Sequence, residues 1–140
     1  MSAVNHHTLA EQTVRSWFMS MSGSVQSRDI EQHMQHVSKK ISVYGMPSKG
    51  VISYKEWKSR RHFEFKNDVL LALNYQGIRI ISCSTKRITF NTSETMVGKD
   101  GKMVILDKNI IIEHEDDGAW RVVEENVNKW RVKKLNLKKY

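Results

Sequence analysis

Apolar residues recur at intervals of three and four along the first part of the chain, which is the spacing of an amphipathic helix. Thr8 and Glu11 have the spacing of a capping box, in which each side chain bonds a free backbone N–H group at a helix start. Gly23 is typical of a helix end. The pattern therefore predicts a first helix over residues 8–23. Its apolar stripe consists of Ala10, Val14, Trp17, Phe18 and Met21.

A second, shorter helix is predicted to follow the first. Helical spacing of apolar residues begins near Ser27 or Asp29 and continues to about Lys40, where the spacing changes. Residues 41–45 then predict a short strand. Residues 46–50, which contain the only proline, predict a turn.

The third helix is predicted from a second capping box. Ser53 and Glu56 form this box, and the helical pattern continues to about Lys66. One face of the helix places a cation within an aromatic stripe, because side chains three and four residues apart share a face. That face consists of Tyr54, Trp57, Arg61 and Phe65.

Strand patterns fill the chain after residue 68. Asp100-Gly101 and Asp117-Gly118 predict tight hairpin turns, because both residue types readily adopt positive φ angles. Long strands joined by tight hairpins form a twisted sheet that must cover one face with helices. The sequence therefore predicts an α+β fold, with three N-terminal helices packed on the concave face of a strongly twisted, mostly antiparallel sheet. The predicted strands span residues 69–75, 78–84, 88–97, 103–115 and 120–132.

Length and composition predict one domain. A chain of 140 residues, 39% of them hydrophobic and 27% charged, is long enough to bury a core. No linker rich in proline, glycine or serine divides it, so residues 1–140 are predicted to form a single domain. Within it, residues 1–7 are predicted to be a flexible N-terminus and residues 133–140 a basic C-terminal tail.

Positive charge is concentrated in residues 55–61 and 129–139, and the formal net charge is +8. A basic tail is able to contact nucleic acid or another anionic surface, but a solvated end that aids solubility is the commoner outcome. No aromatic–basic RNA-binding motif or zinc-finger spacing accompanies the charge. The sequence therefore predicts no nucleic-acid partner.

The sequence also argues against a membrane, a cofactor and a metal ion. The N-terminus has no apolar leader, and no apolar run is long enough to span a bilayer. Cys83 is the only cysteine, which favours a reducing, cytoplasmic setting, and it is predicted to fill the core. No glycine-rich phosphate loop is present, so no cofactor is predicted. His33 and His36 have a spacing that suits zinc, but no third ligand stands near them, so no metal site is predicted.

The element order and one short motif resemble the nuclear transport factor 2-like superfamily, the cone fold shared with ketosteroid isomerase and the SnoaL-like cyclases. The motif is DDGAWRVVE at residues 116–124, which is similar to the acidic-Gly-x-Trp-Arg-Ile/Val pattern that often starts the last strand. The resemblance covers residues 8–132. It implies a cone-like α+β barrel, a pocket between the helices and the sheet, and a homodimer formed through the sheet. Many members carry a histidine six residues after this tryptophan, where this chain has Asn126.

Alternation along the last two strands selects candidate catalytic residues. Glu124 and Asn126 lie mid-strand on one predicted face, as do Asp107 and Asn109 on the preceding strand. On a face that lines the pocket, a carboxylate in dry surroundings has a raised pKa and is able to act as a general base. On a solvated or dimer-forming face, these positions have no such role. The predicted ligand contacts are Trp17, Tyr44, Tyr54, Trp57, Arg61, Asn109 and Asn126.

The sequence is interpreted as a small-molecule-binding domain whose ligand is small and apolar or anionic. Arg61 either binds an anionic ligand, pairs with a pocket carboxylate or extends past Trp57 to solvent, and the two structural roles are favoured. One alternative function is a SnoaL-like or isomerase-like enzyme that performs acid–base chemistry on a small apolar substrate. In that case Glu124 or Asp107 is the base, and Tyr44 or Arg61 stabilises the developing anion. Another alternative is a protein-interaction module that uses its basic tail.

Overall fold

The computed structural model describes residues 3–47 and 50–134, except for the side chains of residues 3–5. Three α-helices and five β-strands form in this part of the chain. The helices are α1 (Ala3–Ser27), α2 (Ile30–Met34) and α3 (Tyr54–Lys66). The strands are β1 (Val37–Tyr44), β2 (Ala72–Cys83), β3 (Arg87–Val97), β4 (Lys102–His114) and β5 (Trp120–Lys134).

The five strands form one mixed sheet in the order β1-β5-β4-β3-β2. Strands β2 to β5 pair antiparallel, and β1 pairs parallel with β5. Helix α1 packs against β2, and the core lies between the helices and the facing side chains of the sheet. The predicted α+β fold of three helices on a mostly antiparallel sheet is confirmed. None of the described helices is long and apolar enough to cross a membrane.

Helix α1 is longer at both ends than its sequence pattern predicts. It begins at Ala3 and continues to Ser27, so Thr8 and Gly23 are internal residues rather than helix ends. The apolar stripe continues one turn past Met21 to Val25, and both side chains are fully buried. Burial of this extra turn outweighs the cost of an internal glycine, which is about 1 kcal/mol. Residues 3–7 are therefore helical, whereas residues 1–2 lie outside the described chain.

Helix α2 is shorter and strand β1 longer than predicted. Asp29 caps α2 by accepting a hydrogen bond from the backbone N–H of Gln32 at 3.1 Å. The strand then begins at Val37, a position that the sequence analysis assigned to the helix. Its backbone pairs with β5, a partner 85 residues further along the chain, starting at Val37↔Val122. Pairing with a distant strand therefore overrides the local helical spacing.

Two other predictions about the sheet need correction. Residues 69–84 do not form two strands; β2 is one strand, irregular around Gly77, whose φ is 78°. Cys83 at its end is exposed, so the prediction that it fills the core is wrong.

The predicted C-terminal tail is partly a strand. Residues 133 and 134 belong to β5, and the rest of the predicted tail, residues 135–140, lies outside the described chain.

Both predicted hairpin turns are present. Asp100 and Gly101 adopt φ angles of 64° and 73° between β3 and β4, and Gly118 adopts 90° between β4 and β5. Arg121 fastens the second turn by donating hydrogen bonds to Asp117 and Glu115 at 2.8–3.0 Å. Its Nε also donates to the backbone carbonyl of Gln35 at 2.9 Å. The arginine of the sequence motif therefore ties the last hairpin to the connection between α2 and β1.

Replacing Arg121 with alanine is expected to lower the free energy of unfolding by about 1–2 kcal/mol, because its hydrogen bonds to Asp117, Glu115 and the carbonyl of Gln35 are lost. Urea unfolding followed by tryptophan fluorescence measures this change. Arg87→Ala is the matched control, since the side chain of Arg87 forms an exposed ion pair with Glu113 at 3.5 Å and such pairs contribute about 0–1 kcal/mol. Equal effects of the two substitutions would contradict the anchoring role.

Candidate functional site

A central cavity lies between α3, the segment after β1 and the helix-facing side of the sheet. The space open to the centres of water molecules is about 60 Å³, which is enough for a few waters or a compact ligand group. Its apolar walls come from Val43, Met46, Ile52, Trp57, Met96 and Leu106. Its polar and charged walls come from Arg60, Arg61, Glu64, Glu94, Lys108 and Glu125.

Three buried charged residues, Glu94, Lys108 and Glu125, form a charge cluster on the sheet side of the cavity. The ammonium group of Lys108 donates to Oε1 of Glu94 and to Oε1 of Glu125, both at 2.8 Å. Both carboxylate side chains are 1% exposed and the lysine side chain is 4% exposed. Each residue comes from a different neighbouring strand, so the sheet register brings the three charges together.

The two carboxylates of the charge cluster differ in how readily they ionise. Burial opposes ionisation of Glu94, but Lys108 and Arg61 outweigh it and lower the pKa of this carboxyl. Burial raises the pKa of Glu125; Lys108 opposes that rise, and the negative charge on Glu94 adds to it. The arrangement therefore keeps Glu94 ionised as the partner of Lys108 and leaves Glu125 as the carboxyl that takes up a proton more readily.

Several polar atoms of this region are buried without a partner among the described residues. They include Oε2 of Glu125 and Nη1 of Arg60, both of which belong to side chains that line the cavity. The hydroxyl of Tyr75 is buried beside Glu94; burial and the charges of Glu94 and Glu125 raise its pKa well above the usual value. A buried polar atom without a hydrogen bond costs free energy, so these unpartnered atoms are available to a ligand.

The helical wall of the cavity is held by a hydrogen-bond network centred on His33, which is fully buried. Its Nε2 accepts from Nε1 of Trp57 at 3.2 Å and from Nε of Arg61 at 3.4 Å. Because Nε2 is an acceptor, the ring proton is on Nδ1, which lies 2.9 Å from the hydroxyl of Ser24. Burial, together with the charge of Arg61, lowers the pKa of His33 to about 2. The neutral ring thus links α2 to α1 and α3 and orients two residues of the cavity wall.

Arg61 is held by α3 itself as well as by His33. Its Nη1 donates to Oε1 of Glu64 at 2.7 Å, and its guanidinium carbon lies 5.5 Å from the centre of the Trp57 ring. Both Arg61 and Trp57 line the cavity, and their predicted role as ligand contacts stays a prediction. Of the three interpretations of Arg61, pairing with a carboxylate on the cavity wall agrees with these contacts.

The inward carboxylate of β5 is Glu125 rather than Glu124. Strict alternation from Val122 puts Glu124 on the same face, but Ile112 pairs with Val122 and Ile111 with Glu124, so one extra residue stands on β5. This β-bulge at Val123 exchanges the two faces for residues 124–127, and a second extra residue at Asn128, between the pairs Lys108↔Val127 and Asp107↔Lys129, restores them. The side chain of Glu124 instead accepts a hydrogen bond from Nδ2 of Asn126 at 3.1 Å, on the face away from the cavity. The predicted inward orientation of Glu124 and Asn126 is wrong for this reason.

The side of β4 that faces the cavity is not the side that carries the predicted residues Asp107 and Asn109. Leu106 and Lys108 line the cavity, so Asp107 and Asn109 lie on the opposite face of the sheet. Asp107 is 41% exposed and lies 3.8 Å from Arg131, and Nδ2 of Asn109 donates to Asn91 at 2.9 Å. The predicted catalytic role of Asp107 and Glu124 stays a prediction, but their carboxylates are outside the central cavity.

The remaining predicted ligand contacts lie away from the cavity. Trp17 is a core residue whose Nε1 donates to the carbonyl of His36 at 3.1 Å, and it packs against Phe90. Tyr44 is 40% exposed near the end of the first strand. Tyr54 borders a separate open groove beside α2 and β1. The structure therefore does not place these three residues with Trp57 and Arg61 at the cavity.

Sequence reasoning missed Glu94, Lys108 and Glu125. One signal for them was present: Lys108 interrupts a face of β4 that otherwise carries Leu106, Ile110 and Ile112, all of which are buried. A lone charge within a buried face requires an opposite charge nearby. Nothing in the sequence showed which of the acidic residues on other strands supplies that charge.

No protein-family model matches this chain, and no curated protein sequence matches it. Solved structures do match its fold. A protein from Novosphingobium aromaticivorans, provisionally assigned as a scytalone dehydratase, superposes with a TM-score of 0.72 and 11% identity over 96% of this chain and 93% of that one.

Two further solved structures agree with this match. LinA superposes with a TM-score of 0.70 and 10% identity over 97% of this chain and 96% of that one. A nuclear transport factor 2-like protein of unknown function from Shewanella oneidensis superposes with a TM-score of 0.67 and 12% identity over 83% of this chain and 96% of that one. At these low identities the likeness shows the fold alone.

Proposed function

We propose that this chain, which has the nuclear transport factor 2-like cone fold, is a small-molecule-binding domain whose ligand occupies the central cavity. The observation that carries the proposal is the charge cluster, with Oε2 of Glu125 buried and unpartnered at the cavity wall. A ligand that hydrogen-bonds this oxygen completes a set of contacts that the described residues leave incomplete.

The charge cluster is costly if it has only a structural role. Removing a carboxylate or an ammonium group from water costs several kcal/mol per ion, and apolar residues of similar volume often serve stability as well or better. Perturbed, buried charges inside a cavity are concentrated at functional sites. The cluster therefore supports a binding or catalytic role more than a stabilising one.

The unpartnered atoms define the chemistry of the ligand. Glu125 favours a group that donates a hydrogen bond, such as a hydroxyl or an amine, and Nη1 of Arg60 favours an acceptor. The apolar walls favour a hydrocarbon body next to these polar groups. Met46 and Met96 are flexible side chains that allow the small cavity to adapt its shape.

An enzyme that performs acid–base chemistry is the second candidate. Glu125 supports it, because a buried carboxyl with a raised pKa and a free oxygen is suited to take a proton from a substrate. Lys108, which touches both carboxylates, is placed to stabilise the charge that develops. Glu125 takes the role that the sequence analysis gave to Glu124.

A homodimer formed through the sheet and a cytoplasmic location are further parts of the proposal. The resemblance of the sequence to the cone-fold superfamily supports the dimer. The exposed thiol of Cys83 supports a reducing compartment, because such thiols persist where disulfides do not form. The third alternative, an interaction module that uses its basic tail, depends on residues that lie largely outside the described chain.

Replacing Glu125 with glutamine is expected to weaken binding of 1-butanol, a compact alcohol used as the probe, by about 10-fold or more, because a hydrogen bond to a charged acceptor is worth about 1.5–3 kcal/mol. Dissociation constants come from NMR titration of backbone amides around the cavity. Glu124→Gln is the matched control, since it changes the neighbouring residue on the other face of the sheet.

The two glutamine variants separate the cavity from the opposite face. Weaker binding in Glu125→Gln with unchanged binding in Glu124→Gln supports the proposal. Absence of 1-butanol shifts in the natural chain, or equal effects of the two variants, would overturn it.

A further inference from the structure

An apolar strip continues from the central cavity onto uncovered sheet surface. We define the apolar strip as Met96, Val104, Trp130 and Val132. In the sheet register Trp130 pairs with Leu106, and Val104 pairs with both Met96 and Val132. Directly paired residues in antiparallel strands point to the same face. Since Leu106 and Met96 line the cavity, the whole strip lies on the cavity face of the sheet.

The helices cover the cavity but leave the strip open to solvent. Trp130 is 48% exposed and Val132 is 49% exposed, whereas Leu106 in the adjacent row is 2% exposed. Large apolar side chains grouped at the entrance of a cavity commonly mark a binding surface. Lys108 and Val104 are four residues apart on β4, so the distance between them along the strand is about 13 Å at the usual rise per residue.

We propose that the ligand of the central cavity is elongated, with its hydrogen-bonding end at Glu125 and an apolar body that lies on the apolar strip against Trp130. This inference rests on the proposed function, since it names the class of ligand for that same cavity: a hydroxylated or aminated compound with an extended hydrocarbon part. Trp130 is then the residue that determines selectivity for ligand length.

Two features of the site favour a ligand that extends beyond the cavity. The cavity, with about 60 Å³ open to the centres of water molecules, accepts only a few heavy atoms, so a longer ligand extends beyond it. Next to Met96 and Leu106 of the cavity lining, the same face of the sheet carries Trp130, with no charged residue of β4 between them. The following inward row holds Lys102 and Lys134, and it ends the apolar surface.

The test is a series of primary alcohols from 1-butanol to 1-decanol. Extended 1-decanol matches the distance of about 13 Å along the sheet from Lys108 to Val104. Affinity for the full chain is expected to rise about two- to fourfold per added methylene, because each methylene leaves water for an apolar surface. In Trp130→Ala this gain is expected to fall below twofold per methylene. Phe63→Ala, which removes an exposed aromatic ring of α3 outside the cavity lining, is the matched control and keeps the gain.

The outcomes distinguish this inference from the proposed function. Binding of 1-butanol through Glu125 with no gain from longer alcohols leaves the compact site in place and overturns the elongated ligand. Absence of 1-butanol binding overturns both. Sedimentation equilibrium of the natural chain and Trp130→Ala tests a second copy on the strip: a dimer that dissociates in Trp130→Ala assigns the strip to an interface and overturns the inference, whereas an unchanged mass supports it.

Discussion

Lys108→Met is expected to lower the free energy of unfolding at pH 7 by about 3–5 kcal/mol, because it leaves two buried carboxylates without their cation. The ammonium group of Lys108 donates a hydrogen bond to Oε1 of each carboxylate, Glu94 and Glu125. Methionine keeps most of the volume of lysine, so the change in the free energy of unfolding comes from the loss of the positive charge and not from a new cavity. Guanidinium unfolding followed by tryptophan fluorescence measures it.

Two controls accompany this substitution. Lys129→Met changes an exposed lysine of β5 and is expected to alter stability by less than about 0.5 kcal/mol. The triple variant Glu94→Leu, Lys108→Met, Glu125→Leu removes the whole cluster, and its stability is expected to equal or exceed that of the natural chain. A loss below about 1 kcal/mol in Lys108→Met would show that the cluster is not buried as described.

The chain is expected to lose about 2 kcal/mol of stability between pH 6.5 and pH 5 through His33 alone, since each pKa unit corresponds to 1.36 kcal/mol. The pKa of His33 is about 2 in the folded state, because of burial and the charge of Arg61. In the unfolded state the ring takes up a proton below about pH 6.5. The unfolded state therefore binds more protons between these values, and stability falls as the pH is lowered through this range.

His33→Gln isolates this contribution. The amide oxygen of glutamine keeps an acceptor for Trp57 and Arg61 but does not titrate, so the difference in stability between pH 6.5 and pH 5 is expected to be about 2 kcal/mol smaller in this variant. Unfolding in urea at several pH values measures both proteins. The comparison also cancels the effect of His36, whose pKa is lowered by burial and by Arg121. Identical pH dependence of the two proteins would show that His33 is not held neutral.

The order of elements follows from local signals that the structure confirms. Ser53 accepts from the backbone N–H of Glu56 at 3.5 Å as an N-cap, and α3 ends at Lys66. The Asp-Gly turns adopt positive φ angles as expected. These features depend on residues close in sequence, so periodicity and turn chemistry are sufficient to predict them. The start of β1 was missed because its partner is β5, and no local pattern carries that information.

Most residues that line the cavity were not among the predicted ligand contacts. Trp57 and Arg61 were found because the spacing of helix α3 fixes which side chains share a face. Alternation failed on β5, since a single extra residue at Val123 turned Glu124 outward and Glu125 inward. A bulge is set by how two strands pair, and it leaves no local signature in the sequence of either strand.

By itself, the sequence determined the fold class, the number of helices, the hairpin turns and the aromatic, cationic face of α3. All of these follow from intervals of a few residues, over which backbone geometry alone decides which side chains are neighbours. Only the tertiary structure decided that Lys108 joins Glu94 and Glu125, because strand register and one bulge set which residues meet across three strands. Contacts between residues far apart in the chain depend on packing free energy summed over the whole sheet, and no short segment contains it.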